Sequence, residues 1–235
     1  MKKLLVSCLC LAFILSSLSF SAFAQSDHKV KVKTSDGREV NITIKPGLES
    51  KVSQDMLTDL ANENPNTDNI TILDVGIASE PVSEFSGSQK PPHNELLNNS
   101  LMVTVPYPIP FTLTKTQTAA DVFESDRFMD SCAKGETKTV SSTITASLSP
   151  QYTGIVVGLT LNGTISYSIT KGSTLVGPPE SSEYNSREFR CKFYENTGNW
   201  TQLWMWTNNL PTLFAGTYSE PSKYVSYSID TYAIY

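Results

Sequence analysis

Residues Thr137–Thr170 read TKTVSSTITASLSPQYTGIVVGLTLNGTISYSIT, and this stretch decides the fold class. From position 139 to 149 every odd residue is Ser or Thr. The opposite face carries Val140, Ile144, Ala146 and Leu148. Alternation with a period of two is typical of a β-strand that is buried on one face only. The stretch therefore predicts a domain built mainly from β-strands.

The second half of the stretch contains Asn162-Gly163, a dipeptide that favours a two-residue hairpin turn. Such a turn would pair Thr160 with Ile165. It would make Ile155–Leu161 a central strand, since that segment is apolar on both faces, and Thr164–Thr170 a half-exposed return strand.

The flanking sequence predicts further strands at Phe111–Thr118, Phe189–Phe193, Trp200–Thr207 and Tyr224–Tyr235. Residues 119–129 are less regular and are interpreted as a short helix or a packed loop, and Thr197-Gly198-Asn199 as a turn. About seven short strands separated by turn signals are typical of an antiparallel β-sandwich or a related barrel. We expect this fold over residues 102–235.

Cys132 and Cys191 are the cysteines that would remain after removal of an export signal. In an oxidising compartment they are expected to form a disulfide. Such a bond would close a loop of roughly 60 residues and contribute about 4 kcal/mol in the chain-entropy model. Two free buried thiols are the alternative.

Residues 25–77 predict a small α+β unit of order ββαβ. Two alternating strands flank the turn Asp36-Gly37. Ser53 is placed to cap a helix whose apolar residues share one face, and Ile70–Ile77 is a third strand. The unit is near the lower size limit for independent stability, so it is expected to pack on the larger domain, or to serve as a pro-region.

The chain begins with Lys2-Lys3, continues with an apolar run, and reaches the small-residue motif Ala22-Phe23-Ala24. These features predict a signal peptide, residues 1–24, cleaved after Ala24, and hence a secreted protein. Residues 78–101 are rich in Ser and Pro and predict a flexible linker.

The 235-residue chain has 18 basic and 23 acidic side chains, and loss of the two signal-peptide lysines leaves a net charge of about −7. This excess of acid argues against nucleic acid as a partner. No stretch beyond the signal predicts a stable transmembrane helix.

Histidine is the usual base of a nucleophilic hydrolase, and the expected mature chain has only His28 and His93, both outside the predicted main domain. We therefore expect no enzyme of that kind, no histidine metal site and no cofactor. A glycan-acting enzyme that uses two carboxylates remains an alternative. Its candidates are Glu124, Asp126, Glu188 and Glu195. The acidic group Asp121, Glu124, Asp126 and Asp130 is interpreted as a solvated edge rather than a calcium site.

The most specific surface signal is a row of indoles, because Trp200, Trp204 and Trp206 share one face of a predicted strand. Exposed, they would form a stacking platform for a glycan or a protein partner; buried, they would fill the core. The leading hypothesis is a secreted, non-enzymatic protein that binds an extracellular protein or glycan. The alternative is a pore-forming or membrane-perturbing protein that uses the Ser/Thr-rich amphipathic hairpin, although Ser142 interrupts its apolar face.

Overall fold

The computed structural model describes residues 26–78, 109–154, 163–205 and 211–234. The predicted signal peptide, nearly all of the predicted linker and the predicted central strand Ile155–Leu161 lie outside these residues. So does Trp206.

The described chain is mainly β, as predicted. Its helical segments are a 3₁₀ turn, Glu49–Lys51, and one α-helix, α1, Gln54–Glu63. Within the described ranges, no helix is long and apolar enough to cross a bilayer. The strands are β1 His28–Lys33, β2 Glu39–Ile44, β3 Asn69–Ile77, β4 Ile109–Ala133, β5 Thr137–Thr139, β6 Ile144–Leu148, β7 Gln151–Tyr152, β8 Ile165–Ile169, β9 Thr174–Val176, β10 Ser186–Met205 and β11 Pro211–Thr231.

Residues 28–77 have the predicted element order ββαβ. Gly37 takes a φ of 88° in the turn between β1 and β2, a conformation that glycine adopts without steric cost. The Ser53 side chain caps α1 by accepting a hydrogen bond of 3.2 Å from the backbone N–H of Met56. The predicted apolar face of α1 is buried.

One large mixed sheet unites the two ends of the chain. Its strand order is β1-β2-β3-β11-β10-β4, and β7 pairs with β11 as a seventh strand. β2 and β3 are parallel, and the other pairs are antiparallel. Because β3 pairs with β11 from Ile70↔Ile229 to Ile77↔Lys223, the N-terminal unit and the C-terminal strands form one continuous sheet.

Three strands are far longer than predicted. β4 has 25 residues, β10 has 20 and β11 has 21, whereas strands usually have about 3–10. Residues 119–129, predicted as a helix or loop, belong to β4, and the predicted turn at 197–199 lies inside β10. Both predictions were wrong, because pairing with neighbouring strands overrides weak local breakers. β-Bulges absorb the irregularity, for example between Glu195 and Thr197.

The core has two parts, one on each face of the sheet. On one face, α1 packs over Ile42, Ile72 and Tyr227. On the other, β6, β8 and β9 pack over Phe189 and Phe193. The covering elements on this second face are two small two-stranded sheets, β6-β8 and β5-β9. A β-sandwich or barrel is not confirmed, since the described strands form one long sheet with two small two-stranded sheets over it.

Cys132 and Cys191 are free thiols in the structure, so the expected disulfide is not formed. In the β4–β10 ladder Cys132 lies opposite Arg187, four residues from Cys191. Four residues of strand span about 13 Å, whereas disulfide-bonded Cα atoms lie about 4.4–6.8 Å apart. Both thiols are buried in the same apolar cluster, as the alternative prediction allowed.

Candidate functional site

The fold places an amphipathic pair of antiparallel strands, β6 with β8, on the long sheet, and we call this pair the hairpin although β7 lies between its strands in the sequence. Its register pairs Ile144 with Ile169, Ala146 with Tyr167 and Leu148 with Ile165, so apolar residues face one another on one side. The other side pairs Ser and Thr residues only. Two hydroxyl pairs join across it, Thr145 to Ser168 at 2.8 Å and Ser149 to Thr164 at 3.0 Å. The sequence therefore separates the two faces completely within the hairpin.

Apolar contacts seat this hairpin on the sheet. Leu148, Ile165 and Ile169 are buried in the cluster that contains Phe189 and Phe193. The Tyr167 ring packs on the Tyr224 ring of β11 with 5.5 Å between centroids. In the described part of the chain, β6 and β8 pair only with each other, so no ladder ties them to the seven-stranded sheet. The Ser/Thr face is exposed.

A short strap follows β6 and lies beside the long strands. We define it as residues 151–154. β7 pairs with β11 through Gln151↔Ser219 and Tyr152↔Tyr218. Thr153 donates its backbone N–H to the carbonyl oxygen of Thr217 at 2.9 Å, and the Thr217 N–H donates to the Thr153 hydroxyl at 2.8 Å. These bonds fix the strap against β11.

Side chains of the long strands hold the strap as well. The buried indole of Trp200 donates to the carbonyl oxygen of Thr153 at 3.0 Å. A Cβ on Gly216 would lie 2.2 Å from that carbonyl oxygen and 2.7 Å from the indole nitrogen, so this contact requires glycine.

A charged group anchors the outer end of the strap. The Tyr152 hydroxyl donates a hydrogen bond to the Glu220 carboxylate, and the Lys115 amine donates to both oxygens of that carboxylate at 2.9 Å and 3.0 Å. Burial first, and the bond to Glu220 second, raise the pKa of Tyr152 well above its usual range. Tyr152 therefore stays neutral and keeps donating this hydrogen bond at physiological pH.

The tryptophan platform is not assembled by the described residues. Trp200 is 0% exposed and serves the strap, so it is unavailable for stacking. The backbone of Trp204 lies in β10, but its side chain, like all of Trp206, is outside the described part. Trp200 therefore matches the core interpretation rather than the platform.

The acidic candidates lie on β4 and β10, and Arg190 brings two of them, Asp126 and Glu188, together. Asp121, Glu124, Asp126 and Asp130 are each in ion-pair range of a basic residue, at 2.8, 4.0, 3.2 and 2.5 Å. Arg190 binds both Asp126 and Glu188, while Glu195 accepts a hydrogen bond from Ser219. Of the histidines, His28 starts β1 and His93 lies outside the described residues. This arrangement leaves the carboxylates occupied as structural partners.

Sequence reasoning missed the strap and its partners. Tyr152 and Glu220 are 68 positions apart, and no local pattern links them. The even spacing of Ala146, Leu148 and Tyr152 on one apolar face was the available signal.

No protein family, no curated protein and no solved structure matches the chain.

Proposed function

We propose that this protein is a membrane-perturbing, pore-forming protein in which the β6–β8 hairpin leaves the sheet and inserts into a lipid bilayer. The single observation that carries the proposal is the register of that hairpin. Aliphatic and aromatic residues pair only with one another, and Ser or Thr only with Ser or Thr. A membrane-spanning hairpin that lines a water-filled pore needs this separation of faces.

The apolar face of the hairpin can be buried either against the long sheet or against the hydrocarbon of a bilayer. In water, the sheet covers Leu148, Ile165 and Ile169, and exposing each would cost about 1.5–3 kcal/mol. In a bilayer, hydrocarbon replaces the sheet as the apolar neighbour, so that cost is largely recovered. The exposed hydroxyl face then faces water in both states.

The hairpin is joined to the rest of the molecule in a way that permits such release. Its described strands share no ladder with the long sheet, so detachment breaks side-chain packing and the few strap bonds. In the bilayer, the outer edges of β6 and β8 need backbone partners, because an unpaired N–H or C=O in hydrocarbon costs several kcal/mol. Hairpins from several copies of the chain would supply those partners and close the pore.

The sequence has the required length. Residues 144–169 number 26, and a tilted strand crosses a bilayer with about 9–11 residues. If the observed register continued in the inserted state, the arms would meet between positions 156 and 157. Even positions of 144–152 and odd positions of 157–169 are all apolar or glycine. The opposite face carries only polar residues and glycine, apart from Ile155 next to the point where the arms meet. On this register, residues 155–161 would be divided between the two arms.

Extracellular binding through an indole platform is less supported, since its first member, Trp200, is buried under the strap. Secretion, with a signal peptide removed after Ala24, is retained as part of the proposal.

A reversible crosslink tests the proposal. Gln151 and Ser219 are directly opposed in an antiparallel ladder, where Cα atoms lie about 4.5–5.5 Å apart and cysteines can bond. The double variant Gln151→Cys/Ser219→Cys, when oxidised, would tie the strap to β11. We expect it to release little dye from loaded liposomes, and reduction to restore release to the wild-type level.

The single variant Gln151→Cys is the matched control, and its dye release should not depend on reductant. Equal leakage from the oxidised and reduced double variants would contradict insertion of this hairpin. Intact liposomes with the wild-type protein, across neutral and anionic compositions, would contradict the pore-forming function itself.

A further inference from the structure

A groove runs between the strap and the long strands. It has a volume of about 430 Å³, within the range of about 300–1,000 Å³ that is usual for small-molecule sites. Strap residues Gln151–Thr153 form one wall, and residues of β4, β10 and β11 form the rest, among them Thr118 and Asn199.

The chemistry of the lining is uniform. Every described lining residue except Gly198 carries a hydroxyl or an amide group, and none is charged. Hydroxyls and amides both donate and accept hydrogen bonds. A ligand that fits has many hydroxyls of its own and no net charge, because an ion would lack a counter-charge in the lining.

Aromatic rings give the groove a rigid apolar surface. The rings of Tyr152 and Tyr218 are stacked, with 5.9 Å between centroids and 27° between planes. Tyr152 is held by Glu220, and Lys115 lies 5.5 Å from the centre of the Tyr218 ring. Tyr218 is buried, so the half-buried Tyr152 ring supplies the accessible aromatic surface. An aromatic ring beside hydroxyl donors suits the apolar C–H face and polar rim of a sugar ring.

We infer that this groove binds a neutral glycan, one or two sugar rings in size. Because the ligand would contact the strap on one side and β10 on the other, it would hold the strap in place. On the proposed function, on which this consequence rests, the bound glycan opposes release of the hairpin.

Saturation-transfer NMR with glucose, N-acetylglucosamine and cellobiose tests the binding step on the full chain without any membrane. At least one of these neutral sugars should receive saturation, whereas glucuronate, of similar size but charged, should receive little. Asn199 is exposed, so Asn199→Ala should fold normally and weaken the signal severalfold. Tyr152→Ala should weaken affinity about tenfold.

Thr114→Ala, an exposed hydroxyl deletion on β4 away from the groove, is the matched control and should bind like wild type. No saturation for any neutral sugar, or equal signals for Asn199→Ala and wild type, would overturn the site.

The consequence for the strap is measured separately. The binding sugar should slow amide hydrogen exchange in residues 151–154 severalfold. If the sugar binds but exchange there is unchanged, the coupling to the strap is wrong. A failure of liposome leakage leaves both of these measurements standing, so the two proposals can fail independently.

Discussion

Lys192 shows how a single buried side chain ties stability to pH. It lies in β10, is 2% exposed, and forms an ion pair with Glu63 of α1, with the Phe123 ring 5.2 Å from its amine. Burial lowers the pKa of Lys192 to about 8, against an ordinary value of 10.5. Between these values the unfolded chain holds a proton that the folded chain has lost, so the Lys192 contribution to stability increases with pH.

We therefore predict that Lys192→Met changes the pH dependence of unfolding. The wild-type free energy of unfolding minus that of the variant should be flat below pH 8 and should rise by about 1–3 kcal/mol towards pH 10.5. At pH 7 the variant should be the more stable protein, since it removes the cost of burying a charge. Urea titrations at pH 7, 8, 9 and 10 measure this difference.

The difference between the two proteins is used because other groups lower the stability of the wild-type protein as the pH rises. Burial raises the pKa of Cys191, and that of Tyr194 to about 12, so the wild-type protein loses stability through these groups at high pH. They are present in both proteins and cancel. A pH-independent difference would show that Lys192 keeps an ordinary pKa in the folded chain.

At the scale of one element, the packing of the hairpin on the long sheet determines how easily the hairpin detaches from it. Phe193 is 0% exposed and belongs to the sheet side of the cluster under β6 and β8. Phe193→Leu leaves the hairpin sequence intact but opens a void beneath it, at a cost of about 1–2 kcal/mol. We expect faster hydrogen exchange in residues 144–148 and 165–169, and faster dye release from liposomes.

Ile42→Val is the matched control, because Ile42 is equally buried but lies in the cluster under α1 on the other face. It should lower global stability by about 1 kcal/mol without accelerating release. If both variants accelerate release equally, global stability rather than the seat of the hairpin controls it.

The amphipathic pattern of this element was readable from sequence, but its partner was not. The turn signal at Asn162-Gly163 predicts Thr160 opposite Ile165 on one edge of β8, and this pairing stays a prediction. The structure places Leu148 opposite Ile165 on an edge of β8, and no sequence pattern had predicted that pair. The predicted partner, Thr160, lies outside the described residues. A shift of the pairing by two residues keeps every Ser and Thr on the same face of the strand. The local pattern therefore does not select one register among several.

At the scale of the whole molecule, the shared sheet joins the N-terminal unit to the C-terminal strands. Val225 and Tyr227 of β11 are buried in the same apolar cluster as Ile42 and Ile72 of the N-terminal unit. We predict that residues 28–77 and residues 186–231 unfold together. Hydrogen exchange in urea should show both regions losing protection at the same denaturant concentration.

Separate transitions would contradict this prediction and would support the N-terminal unit as an independent domain or pro-region. A matched perturbation is Val225→Ala, which removes contacts from the shared cluster and should lower both transitions equally.

The sequence by itself determined the local features of this protein. The turn at Asp36-Gly37, the Ser53 cap, the apolar face of α1 and the two-faced character of residues 144–148 all depend on neighbours within a few positions. Such features follow from backbone sterics and periodicity, which a single sequence displays.

Only the tertiary structure decided which segments meet. It joined β3 to β11 across 146 positions, held Cys132 and Cys191 apart in one ladder, and placed Trp200 under Thr153. Long-range pairing is set by the summed burial of many side chains against the entropy of closing large loops, and no local pattern records that balance. For this reason the amphipathic character of β6 and β8 could be predicted from the sequence, while their pairing, their packing on the sheet, the strap and the groove beside it could not.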